Sequence, residues 1–205
     1  MIAIIDYGVG NIFSLYNAFA HIGAEVKLTD DPEEIRNADK IVLPGVGAFA
    51  AAMEKLKKTG MADLVTEEVK KGKPLLGICL GMQLLFERSF EYGEHTGLGL
   101  IKGDIVPMEG VVPAHCKIPH IGWNKLLFPE EKERNPLFAD LDENSFVYFV
   151  HSYFGSNCDE SVIATVEYGA ELTAAVAKDQ IFGVQFHPEK SGETGMKILQ
   201  AFCRV

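Results

Sequence analysis

The sequence is short of positive charge. Its 205 residues include 19 Lys and Arg against 29 Asp and Glu, which gives a formal net charge of -10. Binding to nucleic acid or to anionic lipid depends on clustered Lys and Arg side chains. We therefore expect neither a nucleic-acid partner nor electrostatic attachment to a membrane.

Long apolar runs and paired cysteines are also missing. The first residues, MIAIID, give only five apolar residues before Asp6 and carry no basic leader. We therefore expect no signal peptide, no spanning helix and a cytoplasmic location. The four cysteines form no CxxC pair, and a chain of this length needs no disulfide framework to be stable.

The first half of the chain alternates short apolar runs with helical patterns. MIAIID, AEVKLT, KIVLP and PLLGI predict strands, whereas NIFSLYNAFAHIG and a long amphipathic stretch over residues 48–71 predict helical structure. This alternation is typical of βαβ units, which form a mostly parallel sheet covered by helices on both faces. Ligands of such sheets bind at the carboxyl ends of the strands.

The pattern changes at about Gly97 to short strands broken by Gly and Pro. These strands predict antiparallel hairpins joined to the same sheet, and a helix over residues 192–204 is predicted to close the chain. Because no repeat or flexible linker is present, we expect one domain over residues 1–205. The predicted fold class is α/β, with a mixed, mostly parallel open sheet flanked by helices and added antiparallel strands in the second half.

The motif GICLGMQ, residues 77–83, is a nucleophile elbow with cysteine in the nucleophile position. It follows the buried strand PLLGI and precedes LGMQLLFER, for which the pattern predicts a helix. The turn needs small neighbours, which Gly77 and Gly81 supply. The amino terminus of the helix would favour a thiolate on Cys79 and a developing oxyanion. The alternative is a glycine-rich turn that holds a buried structural cysteine.

The motif FHPEK, residues 186–190, supplies a base and a carboxylate. His187 and Glu189 are two residues apart, so they point to the same side of an extended segment, which Pro188 helps to hold extended. His187 would take the proton of Cys79 and later protonate the leaving amine, while Glu189 fixes the tautomer. Alone, such residues are commonly a surface pair, but together with a cysteine elbow they favour catalysis.

The two motifs together resemble the class I glutamine amidotransferases, whose triad is Cys, His and Glu. The resemblance covers the whole chain. It implies that Cys79, His187 and Glu189 hydrolyse glutamine to glutamate and ammonia.

The same resemblance implies that PGVGAF, residues 44–49, is an oxyanion loop. The N–H of Val46, beside Gly47, would join the N–H of Leu80 as a donor to the tetrahedral intermediate. Glycines permit a peptide flip at little cost, so a loop aligned only by a partner would make the isolated chain a poor glutaminase, as we expect. The alternative is a plain turn between strand and helix.

The implied substrate-binding residues lie in two segments. Gln83 follows the nucleophile by one helical turn, and Glu91 would meet the α-amino group of glutamine. The HSYF segment would contribute His151, Ser152 and Tyr153 at the amino-acid end of the substrate.

Three further segments, DYGVGNIFSL, PHIGWN and VYFVHSYF, resemble the glutaminase subunits of imidazole glycerol phosphate synthase, which act in histidine biosynthesis. In that family the glutaminase forms a heterodimer with a (β/α)8 barrel cyclase subunit, which makes imidazole glycerol phosphate and aminoimidazole carboxamide ribotide. The resemblance implies that Asn11, Trp123, Tyr148 and Lys190 lie at the docking surface. Tryptophan suits an interface anchor, although a core Trp123 is the alternative.

Other functions stay open. Gly8, Gly10 and Asp30 imitate part of a dinucleotide fingerprint, but Phe13 replaces the third small residue and would hold helix and strand apart. An amidotransferase of another pathway and a cysteine peptidase of related fold are closer alternatives.

A metal site is a further alternative. The segment containing His115, Cys116 and His120 has no standard zinc spacing and no fourth ligand. We expect neither a metal nor another cofactor.

Overall fold

The computed structural model describes residues 1–205. The strands, in chain order, are β1 (Ile2–Ile5), β2 (Val26–Thr29), β3 (Lys40–Leu43), β4 (Leu75–Ile78), β5 (Phe86–Ser89), β6 (His95–Thr96), β7 (Ile101–Pro107), β8 (His120–Lys125), β9 (Phe146–His151), β10 (Tyr153–Ser156), β11 (Val162–Glu167), β12 (Glu171–Lys178) and β13 (Ile181–Val184). The helices are α1 (Ile12–His21), α2 (Pro32–Asn37), α3 (Phe49–Lys58), α4 (Met61–Lys70), α5 (Leu80–Leu84) and α6 (Gly192–Arg204).

Seven strands form the main sheet, in the order β11-β12-β13-β4-β3-β1-β2. The strands from β13 to β2 are all parallel, whereas β12 and β11 add antiparallel strands at one edge. The predicted α/β fold with a mixed, mostly parallel sheet is therefore confirmed.

Each face of the sheet has its own apolar core. In β1, Ile2 and Ile4 belong to one core, and Ala3 and Ile5 belong to the other. This alternation follows from the two-residue period of a strand, and it explains why all four residues are buried. Helices α1 and α6 cover the first face, whereas α2, α3, α4 and α5 cover the second.

The sequence predicted that the strands of the second half all join the main sheet, and this prediction is wrong in part. Only β11, β12 and β13 do so; β10, β7, β5 and β6 form a separate four-stranded sheet, and β8 pairs with β9 in a two-stranded ribbon. The four-stranded sheet is itself mixed, because β5 and β7 pair parallel while its other pairs are antiparallel. Contacts distant in sequence decide these pairings.

Two helix predictions also need correction. The stretch over residues 48–71 forms two helices, because the chain turns at Gly60 with a left-handed φ of 75°. The helix after Cys79 has only five residues, and the following FERS segment is strand β5. The helix predicted over residues 192–204 is confirmed as α6.

The carboxyl ends of four parallel strands meet at one edge of the sheet. The segments that follow β1, β3, β4 and β13 carry Tyr7, the loop over residues 44–48, Cys79 and His187, respectively. The edge predicted to bind ligand therefore carries both candidate catalytic motifs. No helix combines the length and the apolar character needed to cross a membrane.

Candidate active site

Cys79 lies in a strained turn between β4 and α5. Its φ of 55° and ψ of -114° are unusual for a residue with a side chain, and it is 7% exposed. A Cβ on Gly77 would lie 2.7 Å from the Gly81 carbonyl oxygen, and a Cβ on Gly81 would overlap the Leu43 carbonyl. The two glycines therefore permit the tight turn that the motif predicted.

His187 and Glu189 are in contact, with His187 Nδ1 2.8 Å from Glu189 Oε1. Their backbone is not the extended segment that the sequence predicted, because Pro188–Lys190 forms a short 3-10 turn that begins with the proline. The turn still places the carboxylate behind the imidazole. Both side chains are almost fully buried, and Glu189 Oε2 has no other protein partner, so the carboxylate acts on His187 alone.

The imidazole of His187 is protonated at neutral pH. Burial lowers its pKa, but the neighbouring Cys79 sulfur and the Glu189 carboxylate outweigh burial and raise the pKa to about 9. An imidazolium beside a sulfur is the arrangement needed to protonate a leaving amine.

A cavity of about 630 Å³ opens above Cys79. It brings together the predicted nucleophile, base, oxyanion and substrate residues, which are Val46, Gly47, Cys79, Leu80, Gln83, Glu91, His151, Ser152, Tyr153 and His187. Lys190, predicted at the docking surface, also lines the cavity, whereas Glu189 lies outside its lining. Residues from five separated segments of the sequence therefore share one cavity.

The predicted oxyanion loop borders this cavity with free donors. The N–H groups of Val46 and Gly47 donate to no backbone or side-chain acceptor, and Gly47 has a left-handed φ of 93°. Leu80 is the first residue of α5, so its N–H has no acceptor within the helix. Because α5 has only five residues, its dipole contributes less than the sequence suggested, and individual N–H groups matter more.

Tyr7, which the sequence did not suggest, holds the start of this loop. Its buried hydroxyl donates to the Pro44 carbonyl at 2.8 Å. Burial, together with the nearby Cys79 sulfur, raises the pKa of Tyr7, so its hydroxyl keeps its proton. In the sequence, Tyr7 is marked only by its position directly after the apolar run MIAIID. A tyrosine at such a position cannot be distinguished from an ordinary core residue by sequence alone.

Gln83 and Glu91 both line the cavity, but each also makes a structural contact. Gln83 donates through Nε2 to the Tyr153 carbonyl at 3.3 Å and to Gln185 Oε1 at 2.9 Å, which leaves its own Oε1 free. Glu91 accepts a hydrogen bond from the backbone N–H of Phe49, where α3 begins. The carboxylate predicted to meet substrate therefore also anchors the end of the candidate oxyanion loop.

The imidazole of His151 is already occupied. Its Nδ1 lies 2.9 Å from the Tyr153 carbonyl, and its Nε2 lies 3.1 Å from His120 Nδ1. Burial lowers the pKa of His151 to about 4, so the ring is neutral at physiological pH. A contact from this residue to substrate would therefore come from its backbone.

Three of the four predicted docking residues form an aromatic and cationic group. Trp123 and Tyr148 pair across β8 and β9 with ring centroids 6.0 Å apart, and the Lys190 ammonium lies 5.9 Å from the Tyr148 ring centre. Trp123 is 53% exposed, so the alternative of a core tryptophan is wrong. Asn11 is exposed at the start of α1 and accepts from the Ser14 hydroxyl.

The prediction that Phe13 holds helix and strand apart, which counted against a dinucleotide site, is wrong. Phe13 is 71% exposed, so it does not separate helix from strand. Gly10 has a φ of 128°, and a Cβ there would lie 3.3 Å from the Pro44 side chain. Gly10 thus lets the loop after β1 pack against the candidate oxyanion loop.

The segment considered for a metal is dispersed. His120 is buried and stacks on Tyr168 with ring centroids 4.0 Å apart, whereas His115 is exposed. The structure contains no group of three or more His, Cys, Asp or Glu side chains arranged to hold a metal ion.

Comparison with known proteins identifies the family of this chain. The class-I glutamine amidotransferase family matches residues 3–205. The chain is 50% identical to the imidazole glycerol phosphate synthase subunit HisH of Sulfurimonas denitrificans, over 100% of this chain and 98% of that protein. It is 49% identical to the HisH subunit of Caldanaerobacter subterraneus subsp. tengcongensis, over 98% of this chain and 97% of that protein.

Solved structures show the same fold. The structure of PurLQS from Thermotoga maritima matches with a TM-score of 0.73 and 22% identity, over 99% of this chain and 97% of that chain. The family match and two relatives that are about half identical over nearly their whole length together show the family of this chain. The chain belongs to the class-I glutamine amidotransferases and, among them, to the HisH subunits of imidazole glycerol phosphate synthase.

Proposed function

We propose that this chain is a glutaminase that uses Cys79, His187 and Glu189 to hydrolyse glutamine, and that it delivers the ammonia to a (β/α)8 barrel cyclase subunit. The observation that carries the proposal is the strained Cys79 turn at the floor of the cavity, with the His187–Glu189 pair beside it. A structural cysteine would need neither a cavity nor a protonated imidazole next to its sulfur.

The reaction begins with attack of the Cys79 sulfur on the amide carbon of glutamine. The carbonyl oxygen becomes an oxyanion, which would accept hydrogen bonds from the N–H groups of Val46, Gly47 and Leu80, three residues that line the cavity. As the tetrahedral intermediate collapses, the C–N bond breaks and the imidazolium of His187 protonates the leaving nitrogen, which departs as ammonia.

The second half of the reaction releases glutamate. Neutral His187 now takes a proton from water, and the hydroxide attacks the γ-glutamyl thioester. The C–S bond breaks, glutamate leaves, and the proton on His187 restores the imidazolium beside the sulfur. Glu189 holds the ring through Nδ1 throughout both halves.

The cyclase partner is proposed to dock on the ribbon formed by β8 and β9. One face of this ribbon exposes Ile121, Trp123 and Phe146, which are 58%, 53% and 47% exposed, and Lys190 borders the same group across Tyr148. Exposed aromatic and aliphatic side chains of this kind form the centres of protein interfaces. Because Lys190 also lines the cavity, a partner on this surface would lie next to the site where ammonia forms.

The function is tested by glutamate release from glutamine. The purified chain is assayed alone and with the barrel cyclase subunit bound to its ribonucleotide ligand, with Cys79→Ala as the control. We expect low activity alone and a large rise that requires both partner and Cys79. If the activity requires Cys79 but does not change when the cyclase subunit is added, the chain serves another pathway. If no mixture releases glutamate, the proposed glutaminase activity is rejected.

The docking surface is tested by titration calorimetry with the cyclase subunit. Trp123→Ala should weaken binding by roughly thirtyfold or more, because an interface anchor of this type contributes about 2 kcal/mol. Val111→Ala is the control, since Val111 is also 48% exposed but lies outside both the ribbon and the cavity. Equal affinity of both variants for the cyclase would place the interface elsewhere.

A further inference from the structure

A buried amide, Gln185, lies against the sulfur of Cys79. It is fully buried, directly follows β13, and lies with its Nε2 3.8 Å from Cys79 Sγ. The position is set by the sheet: β13 runs parallel to β4 with Val184 opposite Ile78, and the Cys79 N–H donates to the Val184 carbonyl at 2.8 Å. Gln185 and Cys79 are therefore neighbours on adjacent strands.

The direction of the Gln185 amide is fixed by a chain of hydrogen bonds. The Tyr153 backbone carbonyl can only accept, so Gln83 must turn its Nε2 towards it. The same Nε2 donates to Gln185, which must therefore present Oε1 to Gln83. The remaining end of the amide, the N–H group, is left facing the Cys79 sulfur.

Gln185 and His187 reach the sulfur from the same side of one segment. They are two residues apart, and His187 has an extended backbone with φ -101° and ψ 97°. Phe186 between them points the other way into the core, where its ring packs edge-to-face on Phe149 at 5.7 Å. The sulfur thus meets a protonatable donor and a permanently neutral donor from alternate residues.

We propose that Gln185 holds the Cys79 sulfur in its attacking position and favours its ionised form by donating an amide N–H, in an orientation that Gln83 and the Tyr153 carbonyl impose. This inference rests on the proposed role of Cys79 as the nucleophile. The amide never takes the proton, so it supports the thiolate before the attack on glutamine and again when the C–S bond of the thioester breaks.

Gln185 differs from the residues that bind substrate because it does not line the cavity. Its effect on glutamine must pass through the sulfur or through Gln83. Loss of the amide should therefore reduce the rate of chemistry more than the affinity for glutamine.

The first test measures alkylation of Cys79 by iodoacetamide as a function of pH, on the isolated chain, with the modified peptide quantified by mass spectrometry. Gln185→Met removes both hydrogen bonds of the amide. Gln185→Glu keeps an acceptor for Gln83 but turns an acceptor towards the sulfur. Cys116 and Cys203, which are partly exposed and distant in sequence, serve as internal reference thiols in the same digest.

We expect the pH midpoint of Cys79 alkylation to rise by roughly one unit in Gln185→Met, because a hydrogen bond to a charged group is lost. The rise should be larger in Gln185→Glu, where a carboxylate faces the thiolate. A purely structural amide would give the opposite order, since glutamate preserves the bond from Gln83. That order, or an unchanged midpoint in both variants, would overturn the proposal.

The second test uses glutaminase kinetics with the cyclase subunit present. Gln185→Met should lower kcat roughly tenfold while the KM for glutamine changes little. A higher KM with normal kcat and normal alkylation would make Gln185 a substrate-binding residue and refute the inference.

Gln83→Met provides a further test if the Gln185 variants lose their thermal unfolding transition. This substitution frees Gln185 from its orienting partner, so it should also raise the pH midpoint of Cys79 alkylation. An unchanged midpoint in Gln83→Met would refute the proposal. If the Gln185 variants shift the alkylation midpoint but the unsubstituted chain releases no glutamate, the proposed function is rejected and the Gln185 contact is kept. If the Gln185 variants show a normal alkylation midpoint and the chain is an active glutaminase, only the inference about Gln185 is rejected.

Discussion

Replacement of Glu91 should separate two roles that one carboxylate combines. One oxygen of Glu91 accepts from the Phe49 N–H at the first turn of α3, and the side chain also lines the cavity. Ala48, which precedes α3, offers no side-chain cap, so Glu91 supplies the cap from a distant segment. Glu91→Gln keeps an acceptor for Phe49 but loses the charge, whereas Glu91→Ala loses both.

The expected sizes follow from these two contacts. Loss of a helix cap costs about 1 kcal/mol, which lowers the Tm of a chain of this length by roughly 2–4 °C. Only Glu91→Ala should show this loss. Both variants should raise the KM for glutamine roughly tenfold to a hundredfold, because a charged contact to the α-amino group is lost in each. Only Glu91→Ala should also lower kcat, since the end of the oxyanion loop is then released.

The measurements are thermal unfolding of the isolated chain and glutaminase kinetics with the cyclase subunit present. Glu94→Ala is the matched control: Glu94 belongs to the same loop, is exposed, and lies 3.7 Å from Arg88 in a surface pair that should contribute little. If Glu91→Gln lowers the Tm as much as Glu91→Ala, the carboxylate does not cap α3 in the way that the geometry implies. An unchanged KM in both variants would remove Glu91 from the substrate site.

Two further predictions concern the turn and the triad. Gly81→Ala should destabilise the chain by several kcal/mol, because its Cβ would overlap the Leu43 carbonyl. Gly72→Ala is the control: Gly72 has a φ of 93° and open space around it, so the substitution should cost only about 1 kcal/mol. Urea unfolding compares the two variants, and equal losses of unfolding free energy would refute the steric argument. His187 has a pKa raised to about 9 from an ordinary value of 6.5, so stabilisation from its charged form is complete below pH 6.5 and is lost as the pH rises through 9. Glu189→Gln should therefore lose about 2 kcal/mol of unfolding free energy at pH 6 and less at pH 9.5, and a loss independent of pH would contradict the charged pair.

The sequence predicted those parts of the site that depend on spacing within one segment. The elbow glycines around Cys79 and the two-residue interval in FHPEK are local patterns, and the structure brings both motifs to the same strand ends. The parallel half of the sheet was predictable for the same reason, since each βαβ unit is continuous in sequence.

The remainder depended on contacts between distant residues. The bond from Phe49 to Glu91 spans 42 residues, and the contact from Gln185 to Cys79 spans 106. Neither has a local signature, because a glutamate in a loop and a glutamine after a strand are common in any protein. The division of the second-half strands among three sheets has the same origin.

The register of β13 against β4 determines what the sulfur meets. Val184 lies opposite Ile78, so the next residues along the segment alternate between the site and the core. Gln185 is presented to Cys79, and Phe186 is buried in the core. A slip of one residue would turn the phenyl ring towards the sulfur and would place two polar side chains in an apolar core. Burial of Phe186 therefore fixes this register, because the apolar core that excludes the polar side chains also keeps Gln185 and His187 on the side of the segment that faces Cys79.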